Sequence, residues 1–449
     1  MRQFLSGAIV LLAAIAFMAP KANATNGHQL MGVGAYANAM GGAVTAAPYD
    51  TTTAVSNPAG MVLIDKKADF NFEGFMPTRT ADFKGAGGQD NQGGSPLYLV
   101  PAAGWVGPVN DTGDLVFGGG MFLVSGMGVD YDTINSIPFS AAYGDYTPWK
   151  ANLYSQYQFW KLAPTLAKKV NDNLSVGVAL NIDYQQMAFK NWFTDPNNSA
   201  NYMGADLSRA VGTLGYGVTV GAVYKVNDMI SFGATYISEQ NFGDMEYRLS
   251  AGDVAFPTGQ GTAIVSGDGT YKMKMNFPQQ IAIGLALKPM ENLKITADYK
   301  WINFKKTHES IDLKGDYAVV SQTTGQMVGA ASALPLAFGW DDVSVIAVGA
   351  ELKATDGVTL RAGYNHGNSP IKEEDVFNNL VFPAIVEDHL GLGVDFKLAH
   401  GWGLGLSYVK AFKKEITGSG DLMGQTSGAK IALEETSFIL AISYNYGAK

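Results

Sequence analysis

The chain has no cysteine, which excludes a disulfide framework and thiol chemistry. Charge is scarce. Only 16% of residues are Asp, Glu, Lys or Arg, against roughly 25% in a soluble protein. A basic excess is absent too: the net charge of −9 argues against a nucleic-acid partner, which calls for a basic surface. After residue 24 no stretch approaches the ~18 uninterrupted apolar residues of a transmembrane helix. Histidine is limited to His28, His308, His366, His389 and His400. None sits in a recognisable nucleophile or metal-ligand motif, so neither an enzyme, a metal site nor a cofactor is expected. Yet 47% of residues are hydrophobic. Apolar enrichment without apolar runs is the signature of alternating strands.

Residues 160–189 show that alternation most clearly. Leu174, Val176, Val178, Leu180, Ile182 and Tyr184 alternate with Ser175, Gly177, Ala179, Asn181, Asp183 and Gln185. A period of two gives a strand with one apolar and one polar face. Roughly ten such residues match a tilted membrane-spanning β-strand. Val170-Asn171-Asp172-Asn173 before it is a tight-turn composition, so the stretch reads as a hairpin with a strand beginning at Trp160.

The rest of the chain repeats this unit. Met1–Ala24 reads as a secretory signal peptide, with Arg2, an apolar core at 9–17 and an A-x-A site at Ala22-Asn23-Ala24. Residues 25–64 are rich in small residues and carry no strand-length alternation. Short helices are expected around Tyr36–Val44 and from Pro58, with Asn57 as N-cap and Pro58 at the first helical position. The segment is too apolar for an exposed linker and is read as a plug. Residues 65–449 then carry about fourteen strands, beginning Ala68–Pro77, Leu97–Val106 and Leu115–Val124 and ending Trp402–Phe412 and Thr436–Tyr446. Short connections, as at 109–114, 170–173, 226–229, 290–292, 355–357 and 399–401, alternate with long ones. Short turns at one end and long loops at the other describe an all-β, transmembrane antiparallel outer-membrane barrel. The apolar strand faces meet lipid, and Trp160, Tyr184, Tyr216, Trp301 and Trp402 suit interfacial girdles.

Two stretches break the pattern. The third strand, 115–125, is apolar on both faces and carries Gly118, Gly119 and Gly120. Interior glycines mark a bulge or kink, read either as close packing on the plug or as a gap in the wall. The 126–159 connection is long and aromatic. Thr147-Pro148 is expected to start a helix that puts Trp149, Leu153, Tyr154 and Tyr157 on one face, either packed on neighbouring loops or offered as an apolar landing site for a ligand.

Taken together, these pieces resemble the FadL/TodX family of outer-membrane transporters for long-chain fatty acids and other hydrophobic compounds. The resemblance rests on Ser56-Asn57-Pro58-Ala59-Gly60-Met61, similar to the family's plug motif. It rests also on Lys161-Leu162-Ala163-Pro164-Thr165-Leu166-Ala167 followed by Val170-Asn171-Asp172, on Asn276-Phe277-Pro278, and on Leu360-Arg361-Ala362-Gly363-Tyr364 before Ser369-Pro370-Ile371. It spans essentially the whole chain after the leader. It implies a monomeric fourteen-stranded barrel plugged by an N-terminal hatch gated at Asn57-Pro58-Ala59. It further implies a third strand kinked inward to leave a lateral opening, and a ligand that moves from an outer apolar groove to a pocket beside the hatch and then sideways into the membrane. The chain departs from the family in ending Gly447-Ala448-Lys449 after Tyr446 rather than on an aromatic.

The expected function is passive uptake of fatty acids or aromatic hydrocarbons, with the ligand, outer-membrane lipid and lipopolysaccharide as partners. If the ligand carries a carboxylate, Lys294, Lys300 and Arg361 are the lumen-phase candidates to bind it, unless they pair with Asp183, Asp298, Glu351 and Asp395. An open porin and a surface receptor or adhesin are the rival readings.

Overall fold

The computed structural model describes residues 25–83, 90–92, 97–137, 149–197, 202–257, 261–321, 324–419 and 429–446. The expected signal peptide, the Thr147-Pro148 pair and the last three residues lie outside them.

Fourteen wall strands form one closed antiparallel barrel. They are β1 (Lys67–Asp82), β2 (Tyr98–Pro108), β3 (Leu115–Ile137), β4 (Trp149–Leu162, resuming as Thr165–Lys169), β5 (Leu174–Thr194), β6 (Tyr202–Lys225) and β7 (Ile230–Ile237), followed by β8 (Gln280–Met290), β9 (Leu293–Ile302), β10 (Val343–Thr355), β11 (Val358–Gly367), β12 (Asp388–Lys397), β13 (Trp402–Thr417) and β14 (Lys430–Asn445). Each pairs with its neighbours, and β1 closes on β14 from Lys67↔Asn445 to Asp82↔Lys430. An additional hairpin, Ser310–Val320 with Met327–Ala337, stands between β9 and β10.

The alternation decides the faces. In β5, Leu180 and Ile182 are 49% and 44% exposed, while Asn181, Asp183 and Gln185 beside them are 0% exposed. An apolar face that stays exposed on the outside of a closed barrel is a lipid face. The short turns have a local cause. Asn171 Oδ1 accepts from the N–H groups of Asn173 and Leu174, each at 2.9 Å. Asn227 Oδ1 does the same for Met229 and Ile230 at 2.8 and 2.9 Å. These are Asx turns, which the repeated Val-Asn-Asp encodes.

One expectation fails. Residues 149–162 form a strand, not a helix, and the supposed long loop is largely taken up by β3 and β4. Trp149, Leu153 and Tyr157 lie buried on the inner face, while Tyr154 points to the other face and its hydroxyl donates to Gln156 at 3.1 Å. Spacings of four and eight fit both a helical stripe and a strand face. Only Tyr154, at an odd offset, distinguishes the two. β3, β5 and β6 run to 23, 21 and 24 residues, about twice what crosses the bilayer, so the wall continues above the membrane.

Residues 25–64 fill the lumen. They contain a short helix α1 (Gly34–Ala39), the turn Thr53–Ser56 and a 3₁₀ segment Pro58–Leu63. Asn57 caps that last segment, its Oδ1 accepting from the Ala59 N–H at 3.2 Å, with Pro58 at the first position. A segment this short of regular structure leaves backbone donors unpaired. Lumen-facing wall residues supply acceptors: Asn71 Oδ1 for Ala35 N at 3.0 Å, Asp298 Oδ2 for Thr45 N at 2.8 Å and Asp69 Oδ2 for Thr51 N at 2.8 Å. Polar residues on the inner strand faces therefore bind the hatch backbone.

Candidate functional site

The wall pairing is uneven near β3. β2 and β3 pair from Pro108↔Val116 to Ala102↔Phe122. Past that point, among the described residues, β2 remains paired to β1 and β3 to β4, but not to each other. The three glycines lie immediately before the divergence. Gly119 has φ +132°, and a Cβ there would stand 2.2 Å from the Ala163 carbonyl oxygen. Only glycine tolerates both. Opposite it β4 is interrupted at Ala163-Pro164, because proline has no N–H for the ladder. The Ala163 N–H still donates to the Gly120 carbonyl at 2.9 Å.

The N-terminal segment occupies the freed edge of β3. The Leu30 N–H donates to the Val124 carbonyl at 3.2 Å, and Gln29 bridges to Ser125. Leu30, Val100 of β2 and Leu123 of β3 form one buried apolar cluster, with Phe75 and Trp160 against it. Two hatch residues thus take the place that β2 would hold in an unbroken wall.

Behind them lies a cavity of about 70 Å³ between hatch and wall. Leu30, Met31, Val44 and Val55 line it from the hatch, and Gln280, Ala282 and Lys300 from the wall. Lys300 has no hydrogen-bond or ion-pair partner among the described residues; Asp298 is the acid that acts on it through space. The other two candidate cations are engaged. Lys294 Nζ is 2.8 Å from Glu351 Oε1. Arg361 Nε donates to Glu351 Oε2 at 2.7 Å, and its Nη1 pairs with Asp395. The same guanidinium lies 4.3 Å and 4.8 Å from the ring centres of hatch residues Tyr49 and Tyr36. The structure thus separates Lys300 from the pair with which sequence reasoning grouped it.

A second feature was not legible in the sequence. His28 Nδ1 is 2.6 Å from Ser125 Oγ, and its Nε2 is 2.9 Å from His308 Nε2. Tyr157, Phe277, Phe304 and Trp340 surround the His28 ring at centre distances of 5.2–5.3 Å. Burial pushes the His308 imidazole down to about 3. It also holds His28 well below the ordinary histidine range, with His308 adding to the shift. Both rings are neutral at physiological pH. Ser125 and His28 share the hydrogen bond of a nucleophile and its base, but the third member is an imidazole and not a carboxylate, and aromatic rings close the site. The arrangement fits a latch better than a catalyst. Its members come from the hatch, β3 and the short helix Phe304–His308. No spacing could have brought together residues 97 and 280 positions apart.

Comparison with known proteins is specific. Solved structures share the fold. The Pseudomonas putida toluene transporter TodX superposes with a TM-score of 0.68 at 17% identity, covering 94% of this chain and all of that one. A Pseudomonas aeruginosa FadL homologue gives 0.67 at 16%, covering 94% and 100%. The Ralstonia pickettii toluene transporter TbuX gives 0.64 at 16%, covering 92% and 98%. No curated protein matches by sequence. The family model described as outer membrane protein transport protein (OMPP1/FadL/TodX) matches residues 12–447, nearly the whole chain, and the protein belongs to that family.

Proposed function

We propose that the protein carries hydrophobic small molecules passively across the outer membrane, admitting them from the extracellular side to the cavity beside the hatch and releasing them sideways between β2 and β3. The observation that carries this reading is the parting of β2 from β3 above Ala102↔Phe122, with hatch residues Gln29 and Leu30 on the freed edge. A wall defect closed by a few hydrogen bonds and one apolar cluster can open without unfolding the barrel. It leads to lipid rather than to water, as a ligand with little aqueous solubility requires.

The cavity supports a gated route. At about 70 Å³ it is half the ~150 Å³ of a cavity that admits benzene, so a ligand must displace hatch residues to enter. Binding must also be weak enough to permit release. The named relatives are toluene transporters and a FadL homologue, and the proposed ligands run from aromatic hydrocarbons to fatty acids. A hydrophilic porin is the less favoured reading, because residues 25–64 occupy the lumen.

Lys300 favours an amphipathic ligand with a carboxylate among these. It is the cation of the cavity lining, whereas Lys294 and Arg361 already hold carboxylates. Uptake of labelled oleate and labelled toluene by cells lacking their own hydrophobic transporter, with and without this protein, tests both points. Uptake of either supports the transport reading, and preference for oleate supports the role of Lys300. Uptake of neither, at normal surface expression, overturns transport in favour of a receptor.

A further inference from the structure

Thr25 is 5% exposed and lies in a small cavity against β1, β13 and β14. Glu73 and Glu435, each also 5% exposed, line the same cavity with Asn38, Phe75 and Ser437. The Glu435 Oε2 atom is buried and has no hydrogen-bond partner among the described residues. The neighbouring cations are committed elsewhere. Lys410 pairs with Glu434 and reaches Thr436 Oγ1 at 3.3 Å. Arg79, which acts on Glu435 through space, donates to the Tyr98 hydroxyl at 3.0 Å and to the Gly128 carbonyl. Among the described residues, the cavity is thus lined by the two acids Glu73 and Glu435 and by no lysine or arginine. A buried carboxylate oxygen without a donor is costly, and what the cavity lacks is a cation.

The chain can supply that cation. The Ala22-Asn23-Ala24 motif marks a cleavage site for a signal peptidase. Hydrolysis breaks the Ala24–Thr25 amide. The hydroxide part of water adds to the Ala24 acyl carbon and its proton goes to the departing nitrogen; the new Ala24 carboxyl then gives up its own proton, so that at neutral pH the products are a carboxylate and the Thr25 ammonium. We propose that the cavity bounded by Glu73 and Glu435 is a binding site for the α-ammonium group of the processed chain, with Thr25 N as the ligand atom and Glu435 as its principal acceptor. An uncut chain presents at the same position a neutral amide with a single donor. The ammonium brings a positive charge and three donors. The site therefore distinguishes processed from unprocessed protein. It tethers the chain five residues before Leu30, so that the segment closing the gap between β2 and β3 is held at its own start. This inference rests on the cleavage reading and not on the identity of the transported molecule.

The test uses full-length protein purified from outer membranes. Intact mass gives the first residue. Reductive methylation with formaldehyde and cyanoborohydride, followed by peptide mass spectrometry, then compares the α-amine in native and denatured protein, with Lys372 as an exposed internal control. The expected result is a chain beginning at Thr25 whose α-amine reacts at least tenfold more slowly when native. E435Q should restore most of the denatured rate without altering Lys372, and so should one glycine inserted between Ala24 and Thr25. E73Q provides the same comparison if E435Q fails to assemble. A different first residue, equal native and denatured rates, or full protection in the variants would overturn the proposal. Uptake, measured separately, reports on the transport reading alone.

Discussion

His28 Nε2 stands 2.9 Å from His308 Nε2, joining the start of the hatch to a short helix in an outer connection. Of the two proton arrangements open to the chain, the one that keeps the 2.6 Å bond from Ser125 Oγ to the His28 carbonyl, rather than the 3.3 Å bond from Thr307 Oγ1 to the Phe304 carbonyl, has Thr307 Oγ1 donating to His308 Nδ1 at 2.7 Å, His308 Nε2–H to His28 Nε2, and His28 Nδ1–H to Ser125 Oγ. The tautomers are assigned from this network. The cluster links an outer connection to β3 next to the gap, so displacement of the helix by a ligand would be felt at Leu30.

Acid should loosen this latch. A histidine whose value is lowered on burial binds its proton mainly in the released state, so closure is most stable above the ordinary value near 6.5 and weakens as pH falls below it. With His308 held at about 3, lowering the pH to 5 costs the closed form about 2 kcal/mol from that residue. Protease sensitivity of residues 25–33 should therefore rise between pH 7 and pH 5 in the wild type. The rise should be smaller in H308Q, while barrel melting stays unchanged. An equal rise in both would exclude the histidine pair as its cause.

Lys300 and Arg361 should respond differently to substitution. K300M should weaken binding of a carboxylate ligand by about 1.5–3 kcal/mol, the range of a hydrogen bond to a charged group, and leave a neutral aromatic unaffected. R361M takes the guanidinium from Asp395, leaves Glu351 with Lys294 alone, and removes the cation under Tyr36 and Tyr49. Breaking such a buried pair costs about 3–5 kcal/mol of stability. Ligand titration alongside urea unfolding separates the two. Loss of carboxylate binding in R361M at unchanged stability would reverse the assignment.

Gly119 is one of two glycines in the described wall strands, with Gly204 of β6, where a positive φ coincides with a close carbonyl oxygen. G119A adds a positive-φ penalty and a contact with the Ala163 carbonyl, and should destabilise the folded barrel by about 3 kcal/mol or more. Gly113 also has positive φ, +71°, but nothing lies within 4 Å of a Cβ there, so G113A should cost only about 1 kcal/mol. The folded fraction on unheated gels and urea midpoints would show this contrast. Equal effects would mean that the approach of Ala163 is not limiting.

Asn57 holds the hatch together and ties it to the wall: Nδ2 donates to the hatch carbonyl of Thr45 at 2.7 Å and to the wall carbonyl of Ala222 at 3.1 Å, and Oδ1 accepts from the Ala59 N–H. N57A should free the hatch by about 1–2 kcal/mol. Limited proteolysis within 40–64 should quicken while the barrel midpoint holds. Unchanged proteolysis would assign the anchoring to Asp298 and Asp69 instead.

Much of the barrel was legible from local pattern. The strict alternation at 174–185 fixes faces, and the Val-Asn-Asp turns fix which ends are short. All fourteen wall strands have a counterpart in the sequence reading, because most carry their own two-residue period and the third, apolar on both faces, is bounded by turn residues. The failure at 149–157 shows the limit of that method, since residues four and eight apart satisfy two geometries at once. The candidate site was only partly legible. Lys300 was visible as an inward cation, but its lack of a partner depends on strand register across β9 and β10. The His28–Ser125–His308 cluster and the Gln29–Leu30 contact with β3 depend on long-range closure, which no local pattern encodes.

The absence of native cysteine makes the lateral route directly testable. Leu30 and Val100 pack in the same cluster across the gap, so an L30C/V100C protein, oxidised or bridged by a short bis-thiol reagent, fixes the hatch to β2. The decisive measurement is uptake of labelled hydrophobic ligand by cells carrying this variant, before and after reduction. If the ligand leaves between β2 and β3, uptake falls to the background of cells without the protein when the cross-link is closed and returns on reduction. Undiminished uptake with the cross-link fully formed would contradict the lateral route.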